Sequence, residues 1–221
     1  MKKILEEELK NILDDHKLWL DSDKQKGKCA NLSNTDLSRV NLSYVDLFDA
    51  NLSNADLSNA DLSNVDLSYA NLSNADLAYA DLSYANLSYI NLSDANLFNV
   101  TLSYADLFNA NLHKADLSHA NLCKVDLSYA DLSDANLIEV INKNIEGEEI
   151  IAVQVTTLRK NNLISYWTKL DIWTTGCFQG TLEELKKDIE KTYKNNSFLR
   201  TRYERAINYI LEEVKINKEK K

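Results

Sequence analysis

The chain has 221 residues, 44% of them apolar and 27% charged, which is ordinary for one elongated domain or two small ones. Its formal net charge is −9, and residues 30–139 carry only three basic but fifteen acidic side chains. This acidic segment excludes direct binding of nucleic acid, because phosphate contacts need cations. No run approaches the roughly 18 apolar residues of a membrane span. We therefore expect no membrane association and a cytoplasmic location.

Residues 1–29 are predicted to form an N-terminal helical cap. Apolar side chains recur at close to helical spacing over residues 3–20, which predicts an amphipathic helix. The first eight residues, Met1 to Glu8, are too acidic for a signal peptide. The apolar positions of the predicted helix are Ile4, Leu5, Leu9, Ile12, Leu13, Trp19 and Leu20.

The segment of residues 30–139 is organised by leucine. Twenty-two leucines stand at strict five-residue intervals from Leu32 to Leu137, in units such as Ala50-Asn51-Leu52-Ser53-Asn54. Successive leucines would point to opposite faces of a strand and would be rotated by about 140° on an α-helix. The backbone must therefore turn once per unit. All the leucines can be buried together only if the chain coils around them as a solenoid.

Each position of the unit has its own composition when leucine is taken as position i. Position i−2 is Ala, Val or Ile except at Thr35, so positions i−2 and i are predicted to form the core. Position i−1 is Asp in eleven units, Asn in ten and Thr101 in one. Position i+1 is mostly Ser, and position i+2 is polar or Tyr. These last three positions are predicted to face water.

This consensus is similar to that of the pentapeptide repeat family, and twenty-two tandem copies make the resemblance specific. The resemblance implies a mainly β fold, a right-handed quadrilateral β-helix with four pentapeptides per coil. Residues 30–139 would form about five and a half coils, in a rod about 26 Å long at about 4.8 Å per coil. The tail of the cap, His16 to Leu20, is similar to the lead-in of many bacterial members, so His16 is predicted to be structural.

Stacked coils would place residues twenty apart above one another, and carboxylates then concentrate at position i−1 on two faces. We call these two sets the acidic columns. One column, on the face of Leu37, contains Asp36, Asp56, Asp76, Asn96, Asp116 and Asn136. The other, on the face of Leu47, contains Asp46, Asp66, Asn86, Asp106 and Asp126. A third face, from Asn31 to Asn111, carries asparagines that are expected to hydrogen-bond along the stack.

Tyrosines at position i+2 form further columns. One contains Tyr44, Tyr84 and Tyr104, and the next contains Tyr69, Tyr89 and Tyr129. Two interpretations remain open for these rings. They stabilise the coil as stacking ladders, which we favour, or they form a binding surface together with the acidic columns.

Residues 140–221 abandon the five-residue period and are predicted to form a small α+β domain. Strands are predicted over Ile150–Leu158 and Leu163–Trp167, around a turn at Lys160-Asn161-Asn162, which makes a β-hairpin. A third strand is expected near Leu170–Thr174.

Two helices are predicted to follow these strands. The capping box Thr181-Leu182-Glu183-Glu184 opens a helix to about Lys194, and a second helix should run from Phe198 to Val214. The segment from Thr175 to Leu185 resembles a C-terminal module of many bacterial and phage pentapeptide repeat proteins, and this resemblance implies no known activity.

The sequence predicts no catalytic site, no metal site and no cofactor. His113, His119 and Cys123 belong to three different faces, so they would have to reach around corners to share a zinc ion. The carboxylates lie on a convex, repetitive surface without a cleft. Cys29, Cys123 and Cys177 are odd in number and far apart, which argues against a disulfide framework. Cys177 is expected to be a buried, unreactive thiol.

Two functions therefore remain as hypotheses. The first is a non-enzymatic interaction or scaffold protein whose partner has a basic surface. The second is a DNA mimic that binds DNA gyrase or another type II topoisomerase, because the resemblance extends to members that confer quinolone resistance. Against the second, Asp or Asn at i−1 is family consensus, and this chain lacks the projecting loops and the C-terminal dimerisation helix of those members. The sequence allows a monomer or a lateral dimer, and it leaves open whether the solenoid or the C-terminal domain carries the function.

Overall fold

The computed structural model describes residues 1–141, 145, 150–155, 162–175 and 178–219. The chain divides into two compact units, one formed mainly by the residues up to Asn136 and the other mainly by the strands and helices from Ile150 onward. The predicted limits of 1–29, 30–139 and 140–221 stay predictions. The turn residues Lys160 and Asn161, and also Cys177, lie outside the described residues.

The first unit begins with a short strand and a helix. Strand β1 (Lys2–Lys3) pairs in parallel with β2 (Thr35–Asp36), and helix α1 (Glu6–Asp21) occupies the segment where residues 3–20 predict a helix. The Lys2 N–H donates to the Asn34 carbonyl over 3.2 Å. Strand β1 therefore supplies backbone partners to the first coil, whose edge has no coil before it.

The repeat closes on itself every twenty residues. Parallel bridges join each i−1 residue to the residue twenty positions later, from Asn31 with Asn51 to Asn121 with Ile141. Four units therefore make one coil. The pairing is confined to one residue per face, because the turn at each corner interrupts it. The predicted mainly β architecture thus consists of isolated bridges rather than long strands.

Every backbone N–H of a typical unit has a partner, which explains why this pattern is stable without ordinary secondary structure. Residues i and i+2 donate to the next coil, residue i−1 donates to the previous coil, and residue i+3 closes the turn onto the leucine carbonyl. The N–H of i+1 donates to the side chain of i−1. The unit of Leu72 is an example. The N–H groups of Leu72 and Asn74 donate to the carbonyls of Asn91 and Ser93 in the next coil over 2.7 and 2.9 Å, and the Asn71 N–H donates to the Ala50 carbonyl in the previous coil over 2.9 Å. Within the unit, the Ala75 N–H donates to the Leu72 carbonyl over 3.1 Å and the Ser73 N–H to the Asn71 Oδ1 over 3.0 Å.

Each corner needs a left-handed backbone. The residue at i+2 has a positive φ in every unit, between 54° at Asn99 and 63° at Tyr104. A positive φ at the third position of a turn closed from i+3 to i is the signature of a type II turn. Asn and Asp tolerate this conformation best among residues with a side chain. The repeat contains no glycine, so the stacking of one coil on the next must hold the tyrosines and lysines at these corners in the left-handed conformation.

The leucines fill the interior of the coils. All twenty-two are at most 3% exposed, and most i−2 residues are buried beside them. Thr35, the polar exception at i−2, is also buried, and its hydroxyl donates to the Leu32 carbonyl. The two core positions predicted from the sequence are thus the two that the structure buries.

The second unit is an antiparallel sheet with two helices. Strands β3 (Ile150–Val155), β4 (Asn162–Trp167), β5 (Ile172–Thr175) and β6 (Phe178–Gly180) pair in chain order. Helices α2 (Leu182–Thr192) and α3 (Ser197–Glu219) follow and pack on the sheet. Their shared core includes Ile164, Trp173, Leu185, Ile207 and Ile210.

The predicted capping box is formed. The Thr181 hydroxyl accepts from the Glu184 N–H, and the Glu184 carboxylate accepts from the Thr181 N–H over 2.8 Å. The Thr181 N–H and the Thr181 hydroxyl both donate to the Glu184 carboxylate, and these two hydrogen bonds lower the pKa of Glu184. Strand β6 was not predicted from the sequence.

Candidate protein-binding surface

The structure stacks the acidic columns as the twenty-residue period predicts. Bridges connect Asp36, Asp56, Asp76, Asn96, Asp116 and Asn136 on one face, and Asp46, Asp66, Asn86, Asp106 and Asp126 on another. The two faces are separated by one intervening face on each side of the four-sided coil, so they are opposite each other. A partner that lies flat on one column therefore cannot cover the other.

The aspartates of the columns have a structural role that the sequence analysis missed. Their Oδ1 atom accepts a hydrogen bond from the N–H two residues later, as in an Asx turn. For Asp66 the acceptor distances are 2.9 Å to the Ser68 N and 2.6 Å to the Ser68 Oγ. The prediction that i+1 faces water is wrong for two serines, Ser68 and Ser118, which are buried with their hydroxyls donating to Asp66 and Asp116.

Asparagines placed within the columns hydrogen-bond to neighbouring aspartates. The Nδ2 groups of Asn86 and Asn96 donate to Asp66 and Asp76 over 3.1 and 2.9 Å. Asn136 donates to Asp116 in the same way. Each amide separates two carboxylates or ends a run of them, which reduces the repulsion between charges stacked about 4.8 Å apart. On the asparagine face, Asn71, Asn91 and Asn111 form the expected ladder.

The negative charge of the columns is not neutralised within the described residues. There, none of their eight aspartates forms an ion pair with Lys or Arg. Hydrogen bonds from Ser38 lower the pKa of Asp36, so this carboxylate is held in its charged form. All eight side chains are exposed or half-buried. Apart from Asp36, which Lys3 and the N-terminal amine attract, the columns therefore present to a partner charge that no ion pair compensates.

Two predicted tyrosine pairs stack. Tyr69 with Tyr89, and Tyr84 with Tyr104, have parallel rings with centroids 4.7 Å apart. Tyr44 and Tyr129 are 78% and 79% exposed and do not stack on another tyrosine among the described residues. Four of the six predicted rings thus stack in pairs.

Phenylalanines extend the second tyrosine column, and this was not predicted. Phe48 contacts Tyr69 at 5.5 Å, and Phe108 lies between Tyr89 and Tyr129 at 5.6 and 5.3 Å between centroids. We call these five rings the aromatic strip: Phe48, Tyr69, Tyr89, Phe108 and Tyr129. The spacing in the sequence could have indicated these contacts, because each phenylalanine at i+1 is 19 or 21 residues from the tyrosine that it contacts on the same corner.

The histidines and the two described cysteines, Cys29 and Cys123, are dispersed. The His113 Nδ1 lies 2.8 Å from the Ser133 Oγ, His119 packs edge-on against Phe98, and His16 is buried. Cys29 and Cys123 are free thiols, and burial raises the pKa of Cys29. No group of three or more potential metal ligands occurs in the part of the chain that the structure describes. None of the described helices is long and apolar enough to span a bilayer.

The Asx turns lead to a direct prediction. Replacing Asp66 by alanine is expected to lower the free energy of unfolding by about 1–3 kcal/mol, because the buried Ser68 loses the acceptor of its N–H and hydroxyl. Asp66→Asn keeps the Oδ1 acceptor of the turn but loses the Oδ2 that accepts from the Asn86 Nδ2, so it should cost less than alanine, about 1 kcal/mol or below. Urea unfolding of the two variants measures the difference. Equal loss in both would mean that the charge, not the acceptor, is needed.

The fold and surface define a solenoid with stacked polar columns, and family comparison agrees. The pentapeptide repeat model matches eight copies over residues 28–54, 46–78, 75–113 and 105–141, just over half of the chain. The chain belongs to the pentapeptide repeat family, whose fold is the right-handed quadrilateral β-helix.

Solved structures of several family members are similar to this chain. A pentapeptide repeat protein of the Arabidopsis thaliana thylakoid lumen is 30% identical over 47% of this chain and 69% of its own, with a TM-score of 0.40. HetL of Nostoc sp. strain PCC 7120, involved in heterocyst differentiation regulation, is 36% identical over 54% and 58%, with a TM-score of 0.29.

A third similar structure is that of QnrB1, a plasmid-mediated fluoroquinolone resistance protein. It is 21% identical over 57% of this chain and 65% of its own, with a TM-score of 0.43. The match thus spans between 58% and 69% of the length of these three proteins. A search of curated proteins found no match.

Proposed function

We propose that this protein is a non-enzymatic, cytoplasmic interaction protein whose acidic columns bind a basic surface of a partner protein. The supporting observation is that no described Lys or Arg forms an ion pair with any of the eight column aspartates, although Lys3 and the N-terminal amine attract Asp36. One carboxylate oxygen of each holds its own turn, so the columns are fixed in position before binding. Preorganised charge loses little conformational entropy on association.

The rod in this proposal comprises about five and a half coils over residues 30–139, with a small α+β domain after it. Family members generally act through structure and interaction rather than catalysis, which agrees with a binding role. Charged columns would speed association and fix its orientation, and apolar contacts would add affinity.

The test compares captured partners. Wild-type protein and the variant Asp56→Asn, Asp66→Asn, Asp76→Asn, Asp106→Asn serve as baits in one lysate at low and moderate salt, and retained proteins are quantified by mass spectrometry. Asparagine keeps the Oδ1 acceptor and removes four charges. We expect basic proteins retained by wild type at low salt, released by about 0.3 M salt, and depleted at least about tenfold with the variant. Equal retention by both baits at either salt concentration would refute the proposal.

A second candidate function is mimicry of DNA toward a type II topoisomerase. The observation in its favour is charge spacing: twelve net negative charges over about 26 Å give about one per 2.2 Å, against about one per 1.7 Å in duplex DNA. The uninterrupted repeat argues against it, since no loops project from the rod to reach an enzyme.

A DNA gyrase supercoiling assay tests this candidate. If mimicry operates, wild-type protein inhibits supercoiling and the fourfold Asp→Asn variant does not. No effect of wild type at tens of micromolar would exclude gyrase as the partner and leave the first proposal standing. Equal inhibition by both proteins would place the inhibitory contact outside the acidic columns.

A further inference from the structure

The aromatic strip lies directly beside one acidic column. Phe48, Tyr69, Phe108 and Tyr129 each follow a column aspartate by two or three residues, on the corner that ends its face. The strip rings are partly open to solvent, with Tyr69 at 52%, Tyr89 at 43% and Tyr129 at 79% exposure. Rings and carboxylates thus form parallel rows along the coils.

Two lysines of the chain show what such a row attracts. Lys24 Nζ lies 5.2 Å from the Phe48 ring centroid and 3.3 Å from the Asp49 carboxylate, so it contacts an aromatic ring and an anion together. On the neighbouring corner, Lys124 Nζ lies 4.6 Å from the Tyr104 centroid and 2.8 Å from its hydroxyl. In both cases a cation occupies the end of an aromatic row.

The aromatic strip, like the neighbouring Tyr84–Tyr104 row, has a cation at one end only among the described residues. Lys24 covers the Phe48 end. At the other end, no cation lies over Tyr129 among the described residues. Asp106 and Asp126, which precede Phe108 and Tyr129, also lack an ion pair in that part of the chain. This end combines an exposed ring with unneutralised carboxylates.

Guanidinium groups fit this combination better than ammonium groups do. Arginine is planar, stacks on aromatic rings and pairs with a carboxylate through two hydrogen bonds at once. It is also more weakly hydrated than lysine, so it loses less on leaving water. An arginine-rich segment lying along the strip would place guanidinium groups against rings on one side and against column aspartates on the other.

We propose that the aromatic strip, together with Asp66, Asp106 and Asp126, is a docking surface for an arginine-rich segment of the partner protein. This inference rests on the proposed function, because it assigns to one acidic column the kind of basic surface that it binds. The neighbouring corner is a poorer site, since its stack has only two rings, Tyr84 and Tyr104, and Lys124 already covers one of them.

The test uses two matched triple variants of the full chain. Tyr69→Asn, Tyr89→Asn, Tyr129→Asn removes the tyrosines of the strip, and Tyr44→Asn, Tyr84→Asn, Tyr104→Asn makes the same changes on the neighbouring corner. Asparagine already occupies the same left-handed corner at Asn109 and Asn64, so both variants should fold. Fluorescence anisotropy measures binding of a labelled nine-residue peptide rich in arginine and of its lysine counterpart.

We expect wild type to bind the arginine peptide about tenfold or more tightly than the lysine peptide. The strip variant should lose this preference, and the neighbouring-corner variant should keep it. Equal affinity for the two peptides, or equal effects of the two variants, would overturn the inference. If binding then still depends on the column aspartates, the proposed function stands without the strip; if the fourfold Asp→Asn variant also binds as wild type does, both fail.

Discussion

Replacing Leu87 by alanine is expected to lower the free energy of unfolding by about 2–5 kcal/mol. Leu87 is fully buried, with Leu67 and Leu107 one coil away on either side, and both are fully buried as well. Coils contact only their neighbours, so the cavity would lie in the middle of the stack, where both adjoining interfaces lose contacts. Chemical unfolding followed by circular dichroism measures the loss.

Leu5→Ala is the matched control for this change. Leu5 is 71% exposed, and the same truncation there should cost less than about 0.5 kcal/mol. A loss below about 1 kcal/mol at Leu87 would show that the coils close around a missing side chain. The stack would then not depend on the close packing of its leucines.

His16 is expected to make the stability of the first unit depend on pH. It is fully buried, its Nδ1 accepts a hydrogen bond from the Ala30 N–H over 3.0 Å, and its ring stacks on Trp19. Burial lowers the pKa of His16 from 6.5, against the opposing attraction of Asp46 and Asp49. A protonated ring could not accept from Ala30, because both of its nitrogens would donate.

The direction of the pH effect follows from this lowered pKa. The unfolded chain binds the proton more tightly, so the contribution of His16 is fully present above pH 6.5 and is lost as the pH falls toward the folded pKa. The lowered pKa values of Asp36, Asp131 and Glu184 act in a separate window, below their ordinary values near 4. Thermal unfolding between pH 8 and 5 should therefore show a decrease that comes from His16.

Two variants separate the roles of His16. His16→Asn keeps an acceptor near the position of Nδ1 and should flatten the pH dependence. His16→Ala leaves the Ala30 N–H without its partner, which costs about 1–3 kcal/mol in addition to the cavity. If wild type and His16→Asn show the same slope between pH 6.5 and 5, another group carries the effect.

The core of the repeat could be predicted because a period of five is incompatible with a helix or a strand. The backbone must therefore turn once in each unit, and this turn places the side chains at positions i−2 and i in the interior of the coil. The hydrogen bonds of the corners could not be predicted in the same way. The sequence alone does not show whether the side chains of Asp66 and Ser68 hydrogen-bond to water or to each other. That depends on the left-handed turn that brings the two residues together.

The site was partly predictable for a similar reason. Columns of aspartate and tyrosine follow from the twenty-residue coil, whereas Phe48 and Phe108 join the strip through contacts between adjacent corners, which a column count at one position does not include. In the second unit, strand β6 has three residues directly before the capping box. A segment of that length shows no alternation of polar and apolar residues, so only its pairing with β5 defines it.

The most direct test of the account measures both unfolding and partner binding, on wild type and on the fourfold variant Asp56→Asn, Asp66→Asn, Asp76→Asn, Asp106→Asn. It shows whether the carboxylates serve binding rather than folding. Every changed residue keeps the Oδ1 acceptor of its turn. We therefore expect a loss of stability of no more than about 0.5 kcal/mol per site, with up to about 1 kcal/mol at Asp66, whose Oδ2 accepts from Asn86, and lower charge repulsion offsets part of it. We expect the same variant to lose partner binding. A variant that unfolds readily, or that binds its partner as tightly as wild type does, would contradict a binding role for the acidic columns.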